Sequence, residues 1–428
     1  MGAWALYPPP CGVMRTAPVT PNVESSPHRR KRRLLGIAIG LSILVGLSAV
    51  GALLRSHRQT IQKTIGPDTA GSLGLTWTGA AGPGPLSTSL GSDAFYVATG
   101  DSLAAYPTSC TVPGGACKPI WQDHVIDGPL SAPVEQDGVV YTGSSSGFVY
   151  AFAARCPATS CAPLWIGQTG TRALSPPVVN SDFVFVASDR LYAFPARCGT
   201  GDELCPPAWS AELLGPASDG PPAVGGGLVV VSSRGTGGGV SAFPAVCNVR
   251  CEPIWIGRTG GPTTGVVISG GTAYAVARGQ VFAFPLGCKG LCKPTWTGPF
   301  IQGGPFTPGA SGRPTVGSGH LYVGALDGHL WVFPLRCSTS WCNPIGSLAF
   351  GGDPLATPIV QDGLVFVVTT GGLVTTIPDG CSPSSDSCTR PWSEVLGAGA
   401  SSPPAVTSTG VFVGDDRGTL YAFGLPQP

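Results

Sequence analysis

LYAFPARC, residues 191–198, is the stretch on which the reading of this chain turns. Variants of it stand at 149–156 (VYAFAARC), 240–247 (VSAFPAVC), 281–288 (VFAFPLGC) and 330–337 (LWVFPLRC). Each is a short apolar, aromatic strand, most of them closed by a proline, with a cysteine following. Around it lies a longer unit, plainest over residues 165–194. Trp165 begins one strand, Pro177-Val178-Val179 a second, Phe183–Val186 a third, and Leu191–Phe194 is the aromatic strand itself. The aromatic-strand anchors are Tyr106, Phe152, Phe194, Phe243, Phe284, Phe333, Ile377 and Phe423, spaced 46, 42, 49, 41, 49, 44 and 46 residues apart. The tryptophan anchors are Trp77, Trp121, Trp165, Trp209, Trp255, Trp296 and Trp392, with Gly346 in the seventh of eight places.

A period of 40–50 residues carrying four short strands is the pattern of a propeller blade. Inner strands that face a neighbouring blade on each side are apolar on both faces, as LYAF and VFV are. Asp137-Gly138, Asp327-Gly328, Asp362-Gly363 and Arg417-Gly418 supply the turns. Helical solenoids are excluded, since no unit has a 3.6-residue period. The expected fold is therefore all-β: an eight-bladed propeller of four-stranded antiparallel blades over 75–428. The last aromatic strand, Leu420–Phe423, lies at the chain end, so its outer strand is expected from Leu75–Thr78, closing the ring.

Composition agrees. Charged residues are 11% of the chain, with 64 glycines and 44 prolines, which suits short strands and tight turns. The net charge of +1 hides a division. Residues 1–66 carry nine Lys/Arg against Glu24, whereas 67–428 carry 15 against 22 Asp/Glu. An acidic body has no electrostatic footprint for nucleic acid. Leu34–Leu54 is 21 residues without a charge, preceded by Arg29–Arg33. At 1.5 Å per residue it reaches roughly 31 Å, the length of a membrane-spanning helix. The expectation is a disordered cytoplasmic tail (1–33), a transmembrane helix (34–54), a polar linker (55–74) and an extracytoplasmic propeller held at the plasma membrane by one span. A cleaved signal peptide is the alternative reading of the same segment.

Of 15 cysteines, Cys11 stands alone and 14 form local pairs: Cys110/Cys117, Cys156/Cys161, Cys198/Cys205, Cys247/Cys251, Cys288/Cys292, Cys337/Cys342 and Cys381/Cys388. The spacer wanders while the flanks stay fixed, and no histidine pair accompanies them. Zinc sites hold their spacing, whereas a disulfide tolerates a variable loop, so seven disulfides in an oxidising compartment are expected.

Units such as Pro133-Val134 through Tyr150-Ala151-Phe152, and Pro404-Ala405-Val406 through Tyr421-Ala422-Phe423, resemble the pyrroloquinoline quinone-type propeller repeats of bacterial quinoproteins. The resemblance covers residues 75–425. It implies either a quinone- and calcium-dependent dehydrogenase of alcohols or sugars, or a non-enzymatic propeller such as the outer-membrane assembly lipoprotein of that family, which acts as a scaffold. The chain departs from the dehydrogenases: it has no Cys-Cys dipeptide, no Cys-x-x-Cys-His and no long inserted loops. The first expectation is thus a non-catalytic binding or scaffold module without cofactor or metal, with a protein or cell-envelope partner. Pyrroloquinoline quinone and calcium belong only to the dehydrogenase alternative.

Ligands of a propeller gather where the innermost strands begin. The charged residues expected there are Asp127, Arg172, Asp219, Arg313 and Asp353, either a polar ring at the channel mouth or solvated loop residues. His124, His320 and His329 fall in different units without a partner motif, and the glycine runs 225–227 and 235–239 are turns rather than phosphate loops.

Overall fold

The computed structural model describes residues 63–426 apart from 111–114, 171–173, 200–203, 236, 249, 301–309, 311 and 384–386. The strands form eight separate sheets, each with a four-stranded antiparallel core, so the eight-bladed all-β propeller stands. Blade 1 runs from the channel outward as Leu86–Leu90, Ala94–Thr99, Ser102–Pro107 and Trp121–His124. Blades 2 to 7 repeat this order along the chain, and LYAFP (Arg190–Pro195) is the third strand of blade 3. Blade 8 combines Ala405–Val406, Gly410–Gly414 and Thr419–Gly424 with Gly74–Ala80 as its outer strand. Thr78 pairs antiparallel with Tyr421, and Gly79 with Leu420, so the two ends of the ring close in one sheet.

Single-pass residence at the plasma membrane is corrected. Among the described residues no helix is long and apolar enough to cross a membrane; the helical element there is the three-residue 3-10 turn Ala70–Ser72. The expected span 34–54 and tail 1–33 lie outside the described residues.

Burial falls at the blade-to-blade interfaces. Second strands such as Ala94–Thr99 and Leu364–Val368 are buried along their whole length, as a strand packed on both faces must be. Eight apolar clusters each join neighbouring blades. The recurring contact is an outer-strand indole against the third-strand aromatic ring of the next blade. Trp77 meets Tyr106, Trp121 Phe152, Trp165 Phe194, Trp255 Phe284, Trp296 Phe333 and Trp392 Phe423, with ring centroids 5.0–6.5 Å apart. The two departures from the repeat, Gly346 and Ile377, fall on the same interface, between blades 6 and 7. The ring of Pro383 stands where a Gly346 side chain would begin.

The residue after three of the strand-ending prolines (Pro195, Pro285 and Pro334) also bonds backward. The carbonyls of Ala196 and Leu335 accept from the hydroxyls of Tyr141 and Tyr274, at 2.8 and 2.9 Å, and that of Leu286 accepts from the Trp255 indole at 3.1 Å. Asp137 (φ 52°) and Gly138 (φ 81°) both take positive φ, the type I′ geometry that joins first and second strands.

Seven of the eight interface clusters contain a cysteine from the later blade. The eighth, between blades 7 and 8, holds Ile65, Ala70 and Leu73 instead. The Ile65 amide donates to the Ser408 carbonyl there at 2.6 Å. The segment ahead of the closing strand thus fills the gap left by the missing eighth hairpin.

The Trp-x-Gly of several outer strands has a steric cause. A Cβ at Gly257 would lie 2.6 Å from the Phe284 ring, and one at Gly167 2.5 Å from that of Phe194. Gly257→Ala is expected to cost about 1–3 kcal/mol in urea unfolding. Gly287→Ala, where a Cβ meets nothing within 4 Å, is expected to change stability by less than about 0.5 kcal/mol. Equal effects would contradict the packing described.

Candidate functional site

Strand alternation puts two kinds of connection on each face of the ring. One face carries the segments entering the first strands and the turns between second and third strands. The other carries the first-to-second turns and the cysteine hairpins.

On the first face a cavity of about 680 Å³ opens between blades 1 and 4, lined among others by Ser131, Ser175, Ser188, Asp219 and Arg234. It adjoins a second cavity of about 760 Å³ that touches the innermost segment of every blade, from Thr88–Leu90 of blade 1 to Pro403–Val406 of blade 8. This is the central channel. Its wall is a collar of prolines (Pro133, Pro176, Pro177, Pro221, Pro262, Pro403, Pro404) with small hydroxyl residues between them.

Most of those hydroxyls serve the strand ends. Ser131 Oγ accepts from the Gly143 amide at 3.0 Å, Ser175 Oγ from the Ala187 amide at 3.1 Å, and Ser218 Oγ meets Ser232 Oγ at 2.5 Å. A proline cannot extend the ladder, and the preceding hydroxyl completes the strand end in its place.

The charged residues expected at the mouth do not form one ring. Asp127 accepts a hydrogen bond from the Tyr150 hydroxyl in blade 2; burial first, and then this carboxylate, raises the phenol above its usual pKa. Asp219 is exposed and ion-paired with Arg234, on the blade 4 turn between second and third strands. Asp353 lies over the blade 7 turn at Gly371, whose Cβ would collide with that carboxylate. Arg172 lies outside the described residues. Only Asp219 and Arg313 reach the central cavity. Arg313 is partly buried, and desolvation lowers its pKa. Arg234 escaped sequence reading because it sits among the turn glycines 235–239, on a strand connection other than the one that enters the channel.

No three His, Cys, Asp or Glu side chains converge among the described residues. His124 and His329 lie beside Asp101 and Asp327, and His320 beside the Ser318 carbonyl. Among the described residues Asp127 and Asp219 are engaged by Tyr150 and Arg234, and no set of carboxylates converges as a calcium–quinone site would need.

On the opposite face five cysteine pairs are bonded: Cys198–Cys205, Cys247–Cys251, Cys288–Cys292, Cys337–Cys342 and Cys381–Cys388, with Cα separations of 5.1–6.0 Å. Cys110, Cys117, Cys156 and Cys161 stand as thiols, each facing its expected partner. The hairpins also reach backward. Arg250–Cys251 and Gly290–Cys292 add in parallel to the outer strands of the preceding blades, 3 and 4, and Ala116–Cys117 to that of blade 8. Cys205 N donates to Ile166 O at 2.7 Å and Cys342 N to Thr297 O at 2.8 Å. Each of these hairpins covers an edge that would otherwise be open to another strand.

The residue before the second cysteine points outward at a repeated position. On blades 3, 5 and 6 it is Leu204, Leu291 and Trp341, exposed at 52%, 67% and 52%. Val246 and Ile254 of blade 4 are also exposed, beside Arg250. This row of apolar side chains along consecutive hairpins carries no signal in the repeat pattern, which fixes the cysteines and leaves the loop between them free.

No protein-family model and no curated protein sequence matches the chain. Among solved structures, BamB from Moraxella catarrhalis superposes with a TM-score of 0.59 at 16% identity, over 83% of this chain and 98% of that one. The computationally designed Ika8 protein superposes at 0.63 with 11% identity, over 82% and 100%. At such identities these likenesses carry the fold: this is a BamB-like eight-bladed propeller. The finer resemblance to quinone-type repeats is matched by no family model.

Burial, and then the facing thiol, push Cys117 and Cys161 up to about 12, from an ordinary value of 9.0. An unfolded chain releases these protons near 9, and the folded chain retains them to about 12. Stability is therefore expected to be full below pH 9 and to fall as pH rises toward 12. A urea midpoint at about pH 10.5 equal to that at about pH 8 would contradict this.

Proposed function

We propose that this chain is a non-catalytic propeller that binds a partner protein, and that the partner docks on the cysteine hairpins of blades 3 to 6. The observation that carries the reading is the apolar row Leu204, Leu291 and Trp341, presented at equivalent positions on stapled loops. A side chain held outward on a short cross-linked loop has already lost much of its freedom, so a partner that covers it loses little more on binding. Exposed aromatic and aliphatic anchors of this kind mark protein-facing surfaces. The charges at the channel mouth support the same reading from the other side: Asp127 and Asp219 are engaged within their own blades. The scaffold character of a BamB-like ring is consistent with it.

Leu291→Ser with Trp341→Ala tests the proposal. Both side chains are exposed, so the thermal midpoint is expected to stay within about 2 °C of the parent. Proteins cross-linked to the parent chain in its native extract are expected to fall about tenfold or more in the double variant, as for loss of interface anchors. An identical cross-linked set would remove the reading. Titration of the parent with pyrroloquinoline quinone and calcium is expected to give no saturable binding; saturable, calcium-dependent binding would restore the dehydrogenase alternative.

A further inference from the structure

Among the described residues Arg313 has no side-chain partner. It lies between Gly312 and Pro314, where the chain enters the innermost strand of blade 6, and it lines the central cavity. Its backbone is clamped: Thr264 Oγ1 donates to the Gly312 carbonyl at 3.1 Å, and Arg313 Cβ stands 2.5 Å from where a Gly265 side chain would begin. Its guanidinium makes no hydrogen bond or ion pair among the described residues. The other charged groups lining the cavity, Asp219 and Arg234, are paired with each other. The remaining wall is proline, aliphatic and hydroxyl.

A desolvated guanidinium with five donors and no acceptor is costly, and a protein tolerates one where an anion completes it. The cavity has the size of a site for a small organic molecule, and its walls suit an apolar body. One uncompensated positive charge matches one negative charge. A ligand with three carboxylates would leave two of them desolvated against prolines.

We propose that the central cavity binds a small organic anion, a single carboxylate on an apolar body, with Arg313 as its counter-ion. Ile359, Val178 and the proline collar enclose the body. Arg is suited to the task because its planar fork meets a carboxylate through two parallel bonds. The site lies inside the ring and is independent of the hairpin rim, so loss of the partner surface leaves it intact.

Calorimetric titration of the full chain with 4-phenylbutyrate, and with the neutral 4-phenylbutanamide, reads the charge requirement without any substitution. The acid is expected to saturate at one per chain and to bind about tenfold or more tightly than the amide, the scale of a charge-assisted pair. Arg313→Met is expected to lose that preference. A second measurement needs no ligand. Removing an unpaired buried charge is expected to leave the thermal midpoint of Arg313→Met equal to the parent's or higher. No saturable binding of the acid, equal affinity for acid and amide, unchanged affinity in Arg313→Met, or a lower midpoint of that variant would each overturn the proposal.

Discussion

The ring depends on one repeated contact: an outer-strand indole laid against the third-strand aromatic ring of the next blade, with a glycine two residues on in four of the outer strands (Gly79, Gly167, Gly257 and Gly298). A single four-stranded sheet cannot bury both of its faces, so no blade is stable alone. Each interface cluster is shared between two blades, and stability passes around the circle rather than residing in a centre. This explains why the repeat keeps Trp and Phe so far apart in sequence. They belong to different blades and meet only when the ring forms. It also explains the paired departure at Gly346 and Ile377: one interface lost its aromatic contact on both sides, and Pro383 occupies the space.

The cysteine hairpins have two tasks that a single annotation of disulfide would miss. On blades 3 to 7 they staple the third-to-fourth connection of their own blade, and hairpins such as those of blades 4 and 5 cover the open edge of the blade before. Edge coverage matters in a molecule built from eight sheets, since every exposed edge invites pairing with another chain. At the seam the segment from Ile65 to Leu73 substitutes for the missing hairpin by burying three apolar side chains. The apolar residues left outside on blades 3, 5 and 6 stand at one equivalent hairpin position, which sets them apart from exposed apolar side chains elsewhere such as Ile126 and Val395.

The fold was largely legible in the sequence because the repeat is periodic and its chemistry is local to each strand. Eight anchors, the turn glycines and the seam at Leu420–Phe423 are all readable one residue at a time. The site was legible only in part. Asp127 and Arg313 both stand at the start of an innermost strand, yet Tyr150 claims one and nothing claims the other. That difference is set by side chains 23 residues away in one case and by an apolar wall drawn from all eight blades in the other. Arg234 joined Asp219 from a different connection, which no spacing rule reveals. The membrane assignment rested on Leu34–Leu54 alone, and the described residues hold no membrane-crossing helix to support it.

The central claim is a ring closed by its own ends, and amide hydrogen exchange of the full chain tests it most directly. Closure pairs Gly74–Ala80 with Thr419–Gly424, with a bulge at Thr76 and an unbroken register from Trp77 to Ala80 like that of the outer strand Trp255–Arg258 in blade 4. Amides of 77–80 are therefore expected to exchange as slowly as those of 255–258, since both open only with their interfaces. Exchange of 77–80 at the rate of unstructured chain, with 255–258 still protected, would contradict the closed ring.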